Sequence, residues 1–329
     1  IDLDPGSSTV ARIGPAAAGA DQVTASGSAA SEAAGGVTPN SLPQRLPARR
    51  RIAVRLRRPA GAFGRDTGAM CGRYVSVQSD AALLDEFDAI DGALDPARDQ
   101  VSADAPTALP PRRLGFNLAP TDAVRAVVRR RVRGADGVPG DYARQLRLMR
   151  WGLVPSWAKD RSGAARMINA RVETAPSAAA FRRAWAARRC LVPADGWYEW
   201  RVADGRPKQA YYMTPGDGST LAFAGLYEFW GTPGAMLATC TILTAQSVGN
   251  LAYVHDRMPL VASREGWADW LDPGLEDPSA LIEPWRADDA LGRLELRPVS
   301  SAVGNVRNDG ADLLDPVDPD PGPDQAALF

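Results

Sequence analysis

The chain has 329 residues, with 38 Lys and Arg against 39 Asp and Glu, one histidine and a formal net charge of −1. That balance excludes a protein defined by one overall sign of charge, so any anion-binding surface has to be local. No run of eighteen apolar residues occurs, which leaves no helical membrane span, and neither the charged start nor the apolar core of a secretory signal is present.

In chain order, residues 1–69 are dominated by Ala, Gly, Ser and Pro, lack Trp, Tyr and Cys, and carry an arginine-rich stretch from Arg45 to Arg58. Such a composition cannot bury enough apolar surface to offset chain entropy, so a disordered extension is expected. Met70-Cys71-Gly72-Arg73 then reads as a true start, because all nine Trp and all seven Tyr fall after Cys71. Strand-like apolar runs predict strands at Gly72–Val77, Ala123–Arg129, Leu146–Trp151, Cys190–Pro193, Trp197–Val202, Gln209–Met213, Leu221–Trp230, Leu237–Thr244, Met258–Val261 and Leu294–Val299. Ala203-Asp204-Gly205-Arg206 reads as a hairpin turn. Helices are expected at Asp80–Phe87, at Ser177–Ala187 with Ser177 as N-cap, and at Arg264–Leu271. An Ala/Asp/Pro-rich loop covers Asp91–Arg113, and residues 311–329 form a solvated acidic Asp/Pro tail. Many short strands without regular βαβ alternation, a Gly-rich phosphate loop or an internal repeat disfavour a doubly wound fold. The expected class is α+β: a curved mixed or antiparallel sheet forming a barrel-like core with peripheral helices, organised as one domain over residues 70–310.

Three cysteines make an odd count without a CxxC pair, so a disulfide framework is not expected and a reducing cytoplasm is. Cys190 and Cys240 lie in apolar strand-like runs and read as core. A zinc site of all three cysteines with His255 matches no usual ligand spacing, and no metal is expected. His255, the only histidine, lies in Val-His-Asp-Arg-Met-Pro. Two further polar islands are Asn169-Ala170-Arg171-Val172-Glu173-Thr174 and Asp195-Gly196-Trp197-Tyr198-Glu199-Trp200. In a strand, Glu199 shares a face with Trp197, which would desolvate the carboxylate and raise its pKa towards acid/base use. A hairpin residue facing water is the equal alternative on spacing alone.

Seven blocks in order carry a resemblance: Met70–Tyr74, Phe116–Pro120, Arg150–Trp157, Ile168–Thr174, Ala194–Trp200, His255–Pro259 and Asn305–Gly310. Together the segment from residue 70 to about 310 resembles the SRAP family, the SOS-response-associated peptidases whose members shield abasic sites in DNA. The resemblance implies an enzyme without cofactor that forms a covalent thiazolidine with the abasic-site aldehyde. The nucleophile would be Cys71, made N-terminal by removal of Met70, with autoproteolytic and lyase character. It assigns Asn169 to holding the cysteine main chain and the sugar hydroxyls, Glu199 to proton transfer, and His255 to ring opening and protonation of the developing hydroxyl. Arg73, Arg171, Arg257 and Asn117 would contact DNA, with a surface ion pair the alternative for any single arginine, and Trp151 or Trp157 would stack on bases beside the lesion, with core packing the alternative for at least one of the two. The implied partner is single-stranded DNA with abasic sites, met beside the replication machinery by a monomer in the cytoplasm. Two other readings stay open here: a thiol peptidase using Cys71, His255 and Glu199 on other proteins, and a non-covalent single-strand binding module.

Overall fold

The structure, a computed structural model, describes residues 72–92, 108–109, 115–133, 138–202, 208–233 and 235–318. Cys71 and the extension before it, the Ala203–Arg206 turn and nearly all of the Asp91–Arg113 loop lie outside the described residues. In chain order the elements are β1 (Arg73–Val75), α1 (Asp80–Glu86), β2 (Ile90–Asp91), β3 (Ala123–Arg133), β4 (Pro139–Trp151), β5 (Asn169–Arg171), α2 (Arg182–Ala187), β6 (Arg189–Ala194) and β7 (Gly196–Arg201). They continue with β8 (Gln209–Pro215), β9 (Leu221–Thr232), β10 (Ala235–Gln246), β11 (Arg257–Pro259), α3 (Trp267–Leu271), α4 (Ile282–Arg286), α5 (Asp289–Gly292) and β12 (Leu294–Val299).

Five strands close a barrel in the order β4-β3-β6-β9-β10, and β10 returns to β4 through a short parallel ladder that pairs Thr239 with Arg150 and Cys240 with Trp151. Its interior is filled by alternate residues such as Val124, Met149, Trp151, Cys190, Val192, Phe223 and Cys240. The outer face is covered by the helices, where Leu83 of α1 and Phe87 at its C-cap join the cluster of Trp185, Trp267, Trp270 and Trp285. Because β6 lies between these two layers, all six of its residues are buried. Arg189 opens that strand, and its guanidinium donates to Trp270 O at 2.6 Å, Trp185 O at 2.5 Å, Leu275 O at 2.7 Å and Asp272 O. A buried charge is tolerated there because carbonyl oxygens surround it. The second sheet, β1-β7-β8-β12, is antiparallel throughout. The chain crosses from barrel to second sheet at Asp195. The next residue has to be glycine, since a Cβ on Gly196 would lie 2.3 Å from Met213 O.

The α+β class with a barrel core is as expected, and every predicted strand is present, most of them extended at one end. Several features differ, among them β1, which spans only Arg73–Val75 of the expected Gly72–Val77. The helix expected from Ser177 begins at Arg182: Ser177 Oγ donates to Thr174 O at 3.2 Å instead of capping, because residues 172–181 are folded into successive turns on Arg171 O, Thr174 O and Ala178 O. The acidic tail starts later than residue 311, since Leu313 is buried and Val317 N donates to Pro298 O at 2.9 Å. The two-residue strand β2, the three-residue strand β5 and the short helices α4 and α5 were not anticipated.

Candidate active site and nucleic-acid face

β10 carries the site at its C-terminal end. Along one edge it pairs first with β4 and then with β5; along the other, first with β9 and then with β11. Thr244, fully buried, is therefore paired with Arg171 on one side and Pro259 on the other. Asn169 opens β5 opposite Ile242. The carbonyl before it, Ile168 O, accepts from Ile242 N at 2.9 Å and from Trp151 Nε1 at 2.9 Å, which fixes where Asn169 begins. His255 lies in the turn between the 3-10 segment Gly249–Tyr253 and β11, with its side chain 26% exposed. Its Nδ1 accepts from Arg257 N at 3.0 Å, so the neutral ring carries its proton on Nε2. Asp256 Oδ1 lies 3.0 Å from the same Nδ1 and becomes its partner when the ring is doubly protonated.

Glu199 comes from the second sheet. Alternation along β7 sends Trp197 into the barrel-facing core and Tyr198 into the opposite one, and Glu199 follows Trp197. It is 3% exposed, which excludes the water-facing alternative. Its cross-strand partner Tyr211 meets the ring of Tyr253, two residues before His255, at 6.3 Å. The Arg201 guanidinium caps that same ring at 4.1 Å. These contacts join the Glu199 hairpin to the His255 turn. On the other edge of β7 runs β1, with Arg73 opposite Tyr198, a register that carries Gly72 opposite Glu199 when continued by one residue.

β1 has only three residues, and two charged side chains grip the segment that follows it. Asp195 accepts from Val77 N at 2.6 Å and Gln78 Nε2 at 3.1 Å, and its own amide donates to Val75 O at 2.8 Å. Arg125 of β3, under α1, donates to Ser76 O at 2.6 Å, Ser76 Oγ at 3.0 Å, Asp80 Oδ1 at 3.1 Å and Gln78 O. Neither had been singled out for a role. The signal for Arg125 was a lone charge inside Ala-Val-Arg-Ala-Val-Val, which demands buried partners.

The residues expected to touch DNA divide. Arg171 is exposed on β5. Arg73 is half-buried, with Nη1 donating to Gly72 O at 2.7 Å. Arg257 is committed elsewhere: its fork holds Glu173 at 2.6 and 2.9 Å, and Nη2 also donates to Thr244 O at 2.6 Å. Burial alone would raise the Glu173 carboxyl, but the Arg257 hydrogen bonds and charge outweigh it and hold it below its ordinary value. A phosphate reaching Arg257 has to displace that carboxylate. Trp151 is no stacking platform: it is fully buried in the barrel, edge-on to Tyr74 at 5.2 Å. Trp157, in the loop after β4, is 64% exposed. Asn117 is also structural. Fully buried, its Nδ2 donates to Val303 O at 3.1 Å, Asn305 O at 3.2 Å and Asn308 O at 2.9 Å, which ties the 116–119 segment to the segment after β12. Cys190 and Cys240 are buried in the barrel as expected, and burial pushes the Cys240 thiol up to about 12.

Residues 70–306 match the family described as SOS response associated peptidase (SRAP). Abasic site processing protein YoaM of Bacillus subtilis (strain 168) is 35% identical over 250 residues, covering 75% of this chain and 98% of that protein. Abasic site processing protein YedK of Escherichia coli (strain K12) is 34% identical over 167 residues, 51% of this chain and 73% of that protein. A crystal structure of a Bacteroides thetaiotaomicron protein overlays with a TM-score of 0.57 at 19% identity, covering 75% of this chain and 100% of that one, and so shares the fold. The family match spans most of the chain and includes every motif that forms the β10 site, and the chain belongs to the SRAP family.

Proposed function

We propose that the protein captures abasic sites in single-stranded DNA as a thiazolidine on Cys71, after Met70 and everything upstream of it have been removed. The observation that carries this reading is the β1–β7 register, Arg73 opposite Tyr198, which continued by one residue sets Gly72 opposite the buried Glu199. The residue before Gly72 is one peptide step, about 3.8 Å between Cα atoms, from that point. The relatives YoaM and YedK are named abasic site processing proteins, which supports abasic sites as the target.

The chemistry balances without a cofactor. The ring-opened lesion is an aldehyde; the α-amine of Cys71 adds to it and water leaves, giving an imine. The thiolate then adds to the imine carbon, the C–S bond closes a five-membered ring, and the nitrogen takes a proton. An α-amine with a pKa near 8 keeps a useful neutral fraction at physiological pH. An internal cysteine lacks the amine and stops at a reversible hemithioacetal. Glu199 relays the protons of imine formation and of Met70 removal, Asn169 holds the cysteine main chain, and His255 Nε2 protonates the sugar oxygen released on ring opening. The imine before ring closure is also the species from which β-elimination departs, so reversal and lyase character belong to the same site. Arg171 supplies the exposed charge for a flanking phosphate. The working unit begins at Met70 and runs to about residue 310, with residues 1–69 as an extension.

The test is a chain starting at Met70, with loss of methionine confirmed by intact mass, incubated with single-stranded DNA carrying one abasic site. A denaturation-resistant adduct that disappears in Cys71→Ala and forms slowly in Glu199→Gln is expected. No adduct from a chain with a free N-terminal cysteine sinks this reading, and turnover of peptides by that chain would put thiol peptidase activity in its place.

A further inference from the structure

Glu199 and His255 are carried by separate parts of the fold. Strand β7 holds Glu199, the turn between β10 and β11 holds His255, and no backbone hydrogen bond among the described residues joins β7 to residues 247–256. The backbone fastens that turn at its ends, where Ser247 N donates to Asp256 O at 2.9 Å and Gln246 pairs with Arg257. Inside it, His255 N reaches Leu251 O at 3.3 Å, beyond the usual range for such a bond. Leu251 and Val254 are buried in the barrel cluster, but apolar burial is non-directional and fixes depth better than aim. The aim of His255 relative to Glu199 therefore rests on side chains.

Tyr253, two residues before His255, supplies the link. Arg201 follows Glu199 by two residues on β7, so period two puts both on one face of that strand. Among the described residues the Arg201 guanidinium makes no hydrogen bond and no ion pair. It lies instead over the Tyr253 ring at 4.1 Å, the shortest cation–aromatic distance among them. The same ring meets Tyr211, the cross-strand partner of Glu199, edge-on at 6.3 Å. Both neighbours of the ring thus come from the hairpin that holds Glu199, one from its own strand and one from the strand opposite. A half-buried cation–aromatic contact contributes little stability, so its main consequence is geometric.

We propose that Arg201, acting through Tyr253, is a positioning residue that aims His255 at the centre served by Glu199. This rests on the roles proposed above for those two residues, and it concerns the rate of their reaction rather than the hold on DNA. The experiment uses an untagged chain starting at Met70, in which His255 is the only histidine, so its imidazole gives one proton NMR resonance that needs no assignment. Without DNA, that resonance is expected to be single and sharp in the unmodified chain, broadened or split in Arg201→Met, and sharpened again in Arg201→Lys, which keeps a cation over the ring. With abasic single-stranded DNA in single-turnover reactions, Arg201→Met is expected to lower the saturating rate about tenfold at an unchanged half-saturating DNA concentration. Tyr253→Leu has the same effect, and the double variant is no slower than either single one. An unchanged resonance overturns the proposal, as does an unchanged saturating rate or an Arg201→Lys chain no better than Arg201→Met. A raised half-saturating concentration with the saturating rate kept makes Arg201 a contact to the strand, and a lower Tm with resonance and rate both kept makes it merely structural; each also overturns it. Because the resonance is read without DNA, an unmodified chain that forms no adduct counts against the reaction of Cys71, and the behaviour of the His255 signal still decides this inference.

Discussion

Replacing Arg125 by methionine keeps the apolar stem and deletes the guanidinium that ties the segment after β1 to the barrel. It strands Ser76 O, Ser76 Oγ and Gln78 O, which it holds now, while Asp80, with its side chain 49% exposed, returns to water. At about 1 kcal/mol for each stranded acceptor the loss is about 3 kcal/mol, to which the Asp80 pair adds less than about 0.5 kcal/mol. For a domain of this size that lowers Tm by roughly 6–12 °C. The damage is local in origin. Tyr74 N and Ser76 N, which donate to Leu118 O and Gly115 O, exchange faster in Arg125→Met by a larger factor than the amides of β9 and β10. Denaturant unfolding and amide hydrogen exchange measure the two effects. A loss below about 1 kcal/mol, or acceleration spread evenly over both sheets, refutes the argument that this arginine anchors the N-terminal strand.

Trp151→Ala opens the barrel interior and costs about 3–5 kcal/mol by denaturant titration, whereas Trp157→Ala stays within about 0.5 kcal/mol of the unmodified chain; equal losses contradict the burial of one and the exposure of the other. Glu173 has a folded pKa below its unfolded value near 4.3, so its pairing with Arg257 stabilises above that pH and is lost as pH falls through the lower folded value. The carboxylate is half exposed, which limits the effect to under about 1 kcal/mol. The Tm gap between the unmodified chain and Glu173→Gln therefore closes between about pH 6 and 3, and a gap that is constant across this range refutes the linkage. Native protein treated with iodoacetamide at pH 8 keeps Cys190 and Cys240 unmodified by peptide mass mapping, because both are buried and burial raises both thiols; alkylation of either without denaturant contradicts the closed barrel.

Apolar patterning was enough to locate β9 and β10, continuous apolar runs buried on both faces along most of their length, and β12, whose end residues Leu294 and Val299 are buried. It could not reveal β5, where Asn-Ala-Arg has no period to detect and the strand exists only because β10 offers an edge. Nor could it reveal the return of β10 onto β4, a pairing of residues some ninety positions apart that depends on sheet curvature. The candidate catalytic residues were legible as compact polar motifs in a fixed order. Motif membership was silent about direction, however. Asn117 and Trp151 stand in motifs as distinctive as those of Asn169 and Glu199, yet one serves three carbonyls and the other fills the barrel. Arg257 shows the same limit: a cation beside a candidate catalytic histidine suggests a phosphate, while the neighbour it has found is Glu173, from another motif.

The parallel ladder between β4 and β10 pairs only two positions on each strand, and it is the most non-local seam of the barrel in sequence. Loop-closure entropy makes such a contact among the last to form, so the antiparallel hairpins β3–β4 and β9–β10 assemble first and the seam zips afterwards. Asn169 begins its strand just beyond that seam, on the same edge of β10. A chain that is not yet closed therefore has no organised site, and a folded chain that opens briefly at the seam loses the site before it loses the core. Assembly of the candidate site is in this way coupled to the completion of folding.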